Sequence, residues 1–138
     1  MATVDRIDSL QAFHRAVGPA REPLNAAQAV IESVLCAQPP RDLMSPDMCL
    51  AVQLLMQQAH DAIAAFPQPM IEAFLSQPNA SRLIEGAKEI ARRGAYDEFK
   101  DTGGLSVGEL TIVDNAIQSV QDIFDAMEHN LPAQRLAA

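Results

Sequence analysis

Aromatic residues are scarce in this chain of 138 residues, which contains five Phe, one Tyr and no Trp. A core without many rings must be assembled from Leu, Ile, Val, Met and Ala. That inventory suits helix-on-helix packing better than a sheet, which favours β-branched and aromatic residues. Because a chain of this length can bury a sizeable core without metals or disulfides, we expect one all-α domain.

Cysteines and long apolar runs are also lacking. Only Cys36 and Cys49 are present, too few for a disulfide framework, and two reduced thiols are typical of a reducing cytosol. The first ten residues carry acids where a signal peptide requires a basic head and an apolar stretch. No apolar run approaches the length that spans a membrane. We therefore expect a cytoplasmic protein that does not associate with membranes.

Basic residues are missing from whole segments, and the net charge is −8. Residues 45–78 contain three acids and no Lys or Arg, and residues 106–138 contain five acids and one Arg. Residues 79–105 balance five basic residues against five acids. Acidic helices repel phosphate backbones, so this distribution disfavours nucleic acid as a partner.

Prolines and glycines divide the chain into about six predicted helices, because both residue types end helical segments. Together these helices predict a single-domain helical bundle of about five to six helices, spanning residues 1–130 and followed by a frayed tail at 131–138. The predicted helices cover residues 4–17, 23–38, 45–66, 69–77, 79–93 and 106–130, with stops that include Gly18-Pro19, Pro39-Pro40, Pro67 and Gly94.

The predicted helix 45–66 has a well-marked start. Ser45 can act as N-cap, Pro46 occupies a position whose N–H is not needed, and Asp47 favours the positive end of the helix dipole. Apolar residues then occupy most sides of the helix. We expect it to be the central helix of a bundle or to be covered by another chain.

The predicted helix 106–130 begins with the capping-box pattern Ser106-x-x-Glu109. Its apolar residues then recur at alternating spacings of three and four, which is the seam of coiled-coil-like packing. The pattern predicts packing against the helix 45–66 or against a second copy of the same helix. The seam consists of Leu110, Val113, Ile117, Val120, Phe124, Met127 and Leu131.

The doublet His60-Asp61 offers an enzymatic alternative. Helical metal-dependent phosphohydrolases use such a doublet together with a distant His and a distant Asp, because imidazole and carboxylate ligands hold the metal that activates a water. His14 lies upstream, and Asp114, Asp122 or Asp125 could serve downstream. The competing interpretation places the doublet on the polar edge of its helix.

Residues 81–100 offer a DNA-binding alternative, because the stretch from Ala87 to Ala95 resembles the first helix of helix-turn-helix modules. The next residues, however, include acids that would face phosphates. The basic residues here also form the one positive patch of an acidic protein, and this patch could meet an acidic partner or the acidic last helix of a second copy.

We expect a non-enzymatic protein–protein interaction module, a small regulator or adaptor that uses apolar helical surfaces and forms homo-oligomers. No phosphate loop, nucleophile elbow or HExxH motif is present, so no catalytic, cofactor-binding or metal-binding residues are predicted. The partner-binding candidates are Val113, Ile117, Val120, Phe124, Met127, Arg82, Arg92 and Arg93.

Overall fold

The computed structural model describes the backbone of residues 2–37, 43–96 and 104–137, and the side chains of residues 10–37, 44–95 and 104–129. Five α-helices and one short pair of strands make up these parts, so the all-α prediction is confirmed. The elements are α1 (Ala2–Leu35), β1 (Leu43–Met44), α2 (Pro46–Ala64), α3 (Gln68–Leu75), α4 (Ala80–Tyr96), β2 (Leu105–Ser106) and α5 (Val107–Ala137).

The four long helices form a bundle in which α1 packs on α2, α2 on α4, α4 on α5, and α5 on α1. Helices α2 and α5 therefore lie on a diagonal, and the predicted pairing of the 106–130 seam with the 45–66 helix is wrong. The seam instead packs on α1 and α4. Side-chain bonds such as Gln28 to Gln118 and Arg21 to Asp125 run in opposite order along α1 and α5, so these neighbours are antiparallel.

Helix α1 covers both of the helices predicted at 4–17 and 23–38, so the prediction of two helices is wrong. One helix continues through Pro19 and Pro23. Each internal proline removes a hydrogen bond and costs roughly 3 kcal/mol in an isolated helix. Burial offsets this cost, because Val17, Ala20 and Leu24 continue one buried line across both prolines.

The N-terminal signals of α2 and α5 are confirmed. The Ser45 hydroxyl accepts a hydrogen bond from the Met48 N–H at 3.3 Å. At α5, the Ser106 N–H donates to Glu109 Oε1 at 3.1 Å, and the Glu109 N–H donates to Ser106 Oγ at 3.3 Å. Helix α5 extends through Pro132 to Ala137, beyond the predicted end near 130. That residues 131–138 form a tail outside the domain stays a prediction.

Helix α4 continues through Gly94, which was predicted to be its C-cap, and ends at Tyr96. Gly94 is needed for close packing, since an added Cβ would lie 2.6 Å from Leu105 Cγ and 2.7 Å from Cys49 Sγ. Its carbonyl accepts a 2.7 Å hydrogen bond from the N–H of Gly104, which has a φ of 89° that favours glycine. Residues 97–100, the end of the stretch considered for DNA binding, lie outside the described residues.

The two strands pair antiparallel, with Leu43 opposite Ser106 and Met44 opposite Leu105. This pair was not predicted, because two residues carry no alternation pattern. It joins the segments that enter α2 and α5, so both helices start at the same end of the bundle.

Candidate interaction surfaces

The apolar partner-binding candidates are buried in the chain's own core. Val113, Ile117, Val120 and Phe124 are fully buried, and Met127 is 7% exposed. Phe124 also packs against the rings of Phe66 and Phe74, at centroid distances of 5.9 and 5.8 Å. A partner could reach these side chains only by displacing other helices of the same chain. The spacing was read correctly, but core seams and interface seams share one pattern.

Polar side chains cross the α1/α5 face of the bundle. Arg21 donates to Gln121 at 2.7 Å and to Asp125 at 2.6 Å, and its guanidinium lies 5.4 Å from the centroid of the Phe124 ring. Gln121 is 5% exposed, and it donates in turn to Asn25 at 2.8 Å. These bonds satisfy the buried amide and fix the register of the two helices.

The opposite face, between α2 and α4, is crossed in a similar way. Lys88 Nζ donates to Gln57 Oε1 at 3.0 Å, and His60 Nε2 lies 3.1 Å from Glu85 Oε1. These contacts join the two helices, although His60 Nδ1 is buried without a hydrogen-bond partner among the described residues.

The α1/α2 face differs, because no side-chain hydrogen bond or ion pair joins α1 to α2 among the described side chains. Its rim is apolar, with Val30 from α1 and Met48, Leu55 and Ala62 from α2 partly buried against the core. Next to this rim runs the outermost line of α2, which we call the α2 ridge: Asp47, Ala51, Leu54, Gln58 and Asp61.

Leu54 marks the centre of the α2 ridge. Its side chain is 54% exposed, and no Asp, Glu, Lys or Arg occurs between Asp47 and Asp61. Both aspartates are exposed and lie seven residues from Leu54, on the same side of the helix. The ridge is therefore an uncharged apolar strip with one carboxylate at each end.

The α4/α5 face is the second apolar face, and again no side-chain bond joins the two helices among the described side chains. Ile112 on α5 is 58% exposed, and an added Cβ at Gly86 on α4 would meet no atom within 4 Å. The rim consists of partly buried apolar residues, which are Leu83, Ile90, Ala116 and Ile123. We define the α4/α5 face by this rim together with Gly86 and Ile112.

The three arginine candidates lie on the exposed side of α4, but they are not equivalent. Arg92 holds Glu89 with two hydrogen bonds of 2.9 and 2.6 Å, whereas Arg93 Nε lies 3.4 Å from the same carboxylate. The pKa of Glu89 is lowered to about 2, mainly by the hydrogen bonds from Arg92. The charge of Arg92 and the hydrogen bond and charge of Arg93 act in the same direction. By helical spacing, Arg82 and Arg93 lie towards α5 and Arg92 lies towards α2. Only Arg82 and Arg93 therefore border the α4/α5 face.

The residues proposed for a metal-dependent hydrolase are not brought together. His60 lies on the α2/α4 face, whereas His14 lies on the opposite face, where it contacts Glu128 at 3.0 Å. Asp61 is 3.8 Å from His60 Nδ1, beyond hydrogen-bond distance. Within the described residues, no three His, Cys, Asp or Glu side chains are grouped to hold a metal ion.

The helix-turn-helix interpretation of residues 81–100 places its turn after Gly94, whereas this glycine lies inside α4, which continues to Tyr96. The apolar side of α4 packs on α2 and α5 as one of the four long bundle helices. The sequence could not reveal this, since a glycine near a helix end is more often a cap than a packing contact.

The two cysteines have different environments. Cys36 is exposed, whereas Cys49 is buried at the start of α2. Burial, supported by the negative charge of Glu109 and opposed by a backbone hydrogen bond from Leu105, raises the pKa of the Cys49 thiol to about 11. Its thiol is thus held in the unreactive, protonated form at neutral pH.

No protein-family model, curated protein or solved structure matches this chain. Among the helices that the structure describes, none is both long and apolar enough to cross a membrane.

Proposed function

We propose that this protein is a non-enzymatic protein–protein interaction module, a small cytoplasmic regulator or adaptor that binds through the outer surface of α2. The observation that carries the proposal is the α2 ridge, where Leu54 is 54% exposed in the middle of an uncharged strip. Single exposed leucines are common, but this one adjoins a continuous apolar rim that includes Val30, Leu55 and Ala62.

The dimensions of the α2 ridge suit a helical partner. Asp47 and Asp61 are fourteen residues apart, so the ridge is about 21 Å long, or four helical turns. An amphipathic helix laid along it would place apolar residues at spacings of three and four against Ala51 and Leu54. Burying a leucine side chain fully contributes about 1.5–3 kcal/mol, and a docked helix would bury the part of Leu54 that is exposed.

Electrostatics restrict the partner further. The carboxylates at both ends of the ridge favour Lys or Arg on the partner, and residues 45–78 contain no basic residue that would oppose them. The net charge of −8 acts in the same direction at longer range, attracting basic surfaces and repelling acidic ones. The expected partner is therefore an apolar helical surface with basic residues at its edges.

A labelled model peptide tests this proposal directly. The probe is a helical peptide of Leu and Lys with leucines on one face, and its control replaces every Lys with Glu. Fluorescence anisotropy should detect binding of the Lys peptide alone, and Leu54→Asp should weaken that binding by roughly tenfold or more, because a charge then occupies the apolar centre.

Ile112→Asp is the matched control, since it adds the same charge at a residue of similar exposure on a different face. Net charge alone would strengthen binding of the Lys peptide equally in both variants, since each is more acidic than the unmodified chain. Equal effects of the two variants, in either direction, would contradict the proposal, because binding would then not depend on the α2 ridge. Equal binding of the Lys and Glu peptides would contradict the charge argument.

A further inference from the structure

We infer that the occupant of the α2 ridge is the α4/α5 face of a second copy of this chain. This inference rests on the proposed function, and it identifies the partner that the ridge binds. The α4/α5 face has the properties that the ridge requires, namely an exposed apolar surface on two helices with basic residues at its edge.

The apolar parts of the two surfaces are of similar character. Leu54 lies at the centre of the α2 ridge and Ile112 lies on the α5 side of the α4/α5 face, and they are 54% and 58% exposed. Gly86 leaves open space above α4, which allows a helix of another molecule to approach closely. Neither surface is crossed by side-chain bonds within the described part of the chain, so no polar network has to be broken on docking.

The charges at the α4 edge of this face are complementary to those of the α2 ridge. Arg82 and Arg93 are eleven residues apart on α4, about 16 Å, and the two aspartates of the ridge are about 21 Å apart. The remaining difference is about 2 Å at each end, which is within the reach of an arginine side chain. Arg93 is 68% exposed and its contact with Glu89 is long, so its guanidinium can turn towards a partner carboxylate.

Symmetric pairing of two α2 ridges is disfavoured by the same charges. Antiparallel ridges would place Asp47 opposite Asp61, and parallel ridges would place each aspartate opposite itself. Both arrangements bring like charges together on molecules that each carry −8. Contact between two different surfaces avoids the local repulsion between aspartates. Because it uses the outer side of α2 on one copy and the α4/α5 side on the other, it is head-to-tail.

Complementation between two variants tests this arrangement. Leu54→Asp removes the α2 ridge and Ile112→Asp removes the α4/α5 face, and both residues are exposed enough that thermal unfolding should remain unchanged. In sedimentation velocity the unmodified chain should associate as its concentration rises, and each variant alone should be monomeric. An equimolar mixture should form a 1:1 heterodimer, because each variant retains the surface that the other lacks.

Three results would overturn the inference. A monomeric unmodified chain would do so, as would self-association of either variant alone, because that indicates symmetric pairing. A mixture that stays monomeric would also do so. Binding of the Lys peptide to the α2 ridge, with a monomeric unmodified chain, would reject the second copy as occupant and leave the proposed function standing. Absence of peptide binding together with a monomeric unmodified chain would reject both the proposed function and the second copy as occupant.

Charge reversal supplies an independent readout. The double variant Arg82→Glu with Arg93→Glu should associate more weakly by about 2- to 30-fold, as expected for two exposed ion pairs. Mixing it with the double variant Asp47→Lys and Asp61→Lys should recover association. Unchanged association in the arginine variant would contradict the predicted charge contacts.

Discussion

Helix α1 contributes to two faces of the bundle that differ sharply in chemistry. Against α5 it places Arg21, which bonds to Gln121 and Asp125 on the other helix. Against α2 it places the apolar Val30, and no side-chain bond crosses between the described residues of the two helices. The α2/α4 and α4/α5 faces repeat this difference on the other side of the molecule.

The difference shows that one bundle can use some faces to fix the pairing and register of its helices and other faces to bury apolar area. Directional bonds on the α1/α5 and α2/α4 faces favour one register of the paired helices. On the α1/α5 face, a shifted register would leave the buried Gln121 amide without its partners. The apolar faces have no such requirement. They hold the helices together by burial, which is non-directional, and their outer edges remain able to bury more area.

The largest change in the free energy of unfolding is expected on α5, which carries both buried and exposed apolar residues. Phe124→Ala should lower the free energy of unfolding by about 3–5 kcal/mol, because the ring is fully buried under Arg21 and between Phe66 and Phe74. Ile112→Ala should change it by less than about 0.5 kcal/mol. Urea unfolding at low protein concentration measures both. Similar losses would mean that Ile112 belongs to the core.

A smaller effect is expected from removing the polar crossing. Arg21→Ala should lower the free energy of unfolding by about 1–3 kcal/mol, because Gln121 Oε1 loses its donor at a site that is 5% exposed. Urea unfolding of this variant and of Leu54→Ala, a truncation on an apolar face, makes the comparison. If Leu54→Ala were the more destabilising of the two, the assignment of specificity to the polar faces would be wrong.

The smallest effect separates the two glycines of α4. Gly86→Ala should raise the free energy of unfolding by about 1 kcal/mol, because the added Cβ has open space and alanine favours helix. Gly94→Ala should change it in the opposite direction, since its Cβ would lie 2.6 Å from Leu105 Cγ. Thermal unfolding of the two variants gives the sign. Stabilisation by both would mean that the contact at Gly94 relaxes without cost.

Local signals in the sequence determined much of this fold. The Ser45 cap, the reciprocal Ser106–Glu109 bonds and the buried row from Leu110 to Met127 could all be predicted, because each depends on residues within one or two helical turns. Of the candidate surfaces, the uncharged stretch of α2 and the basic residues of α4 were also visible as patterns of composition.

Only the tertiary structure decided which apolar rows became core and which stayed exposed. The row on α5 is covered by α1 and α4, while Leu54 and Ile112 are 54% and 58% exposed. The prolines of α1 predict helix ends, yet burial from Phe13 to Val34 outweighs the lost hydrogen bonds. Spacing along a chain specifies which residues share a face, but what covers that face depends on helices far away in sequence, and their positions follow from the summed burial of the whole bundle.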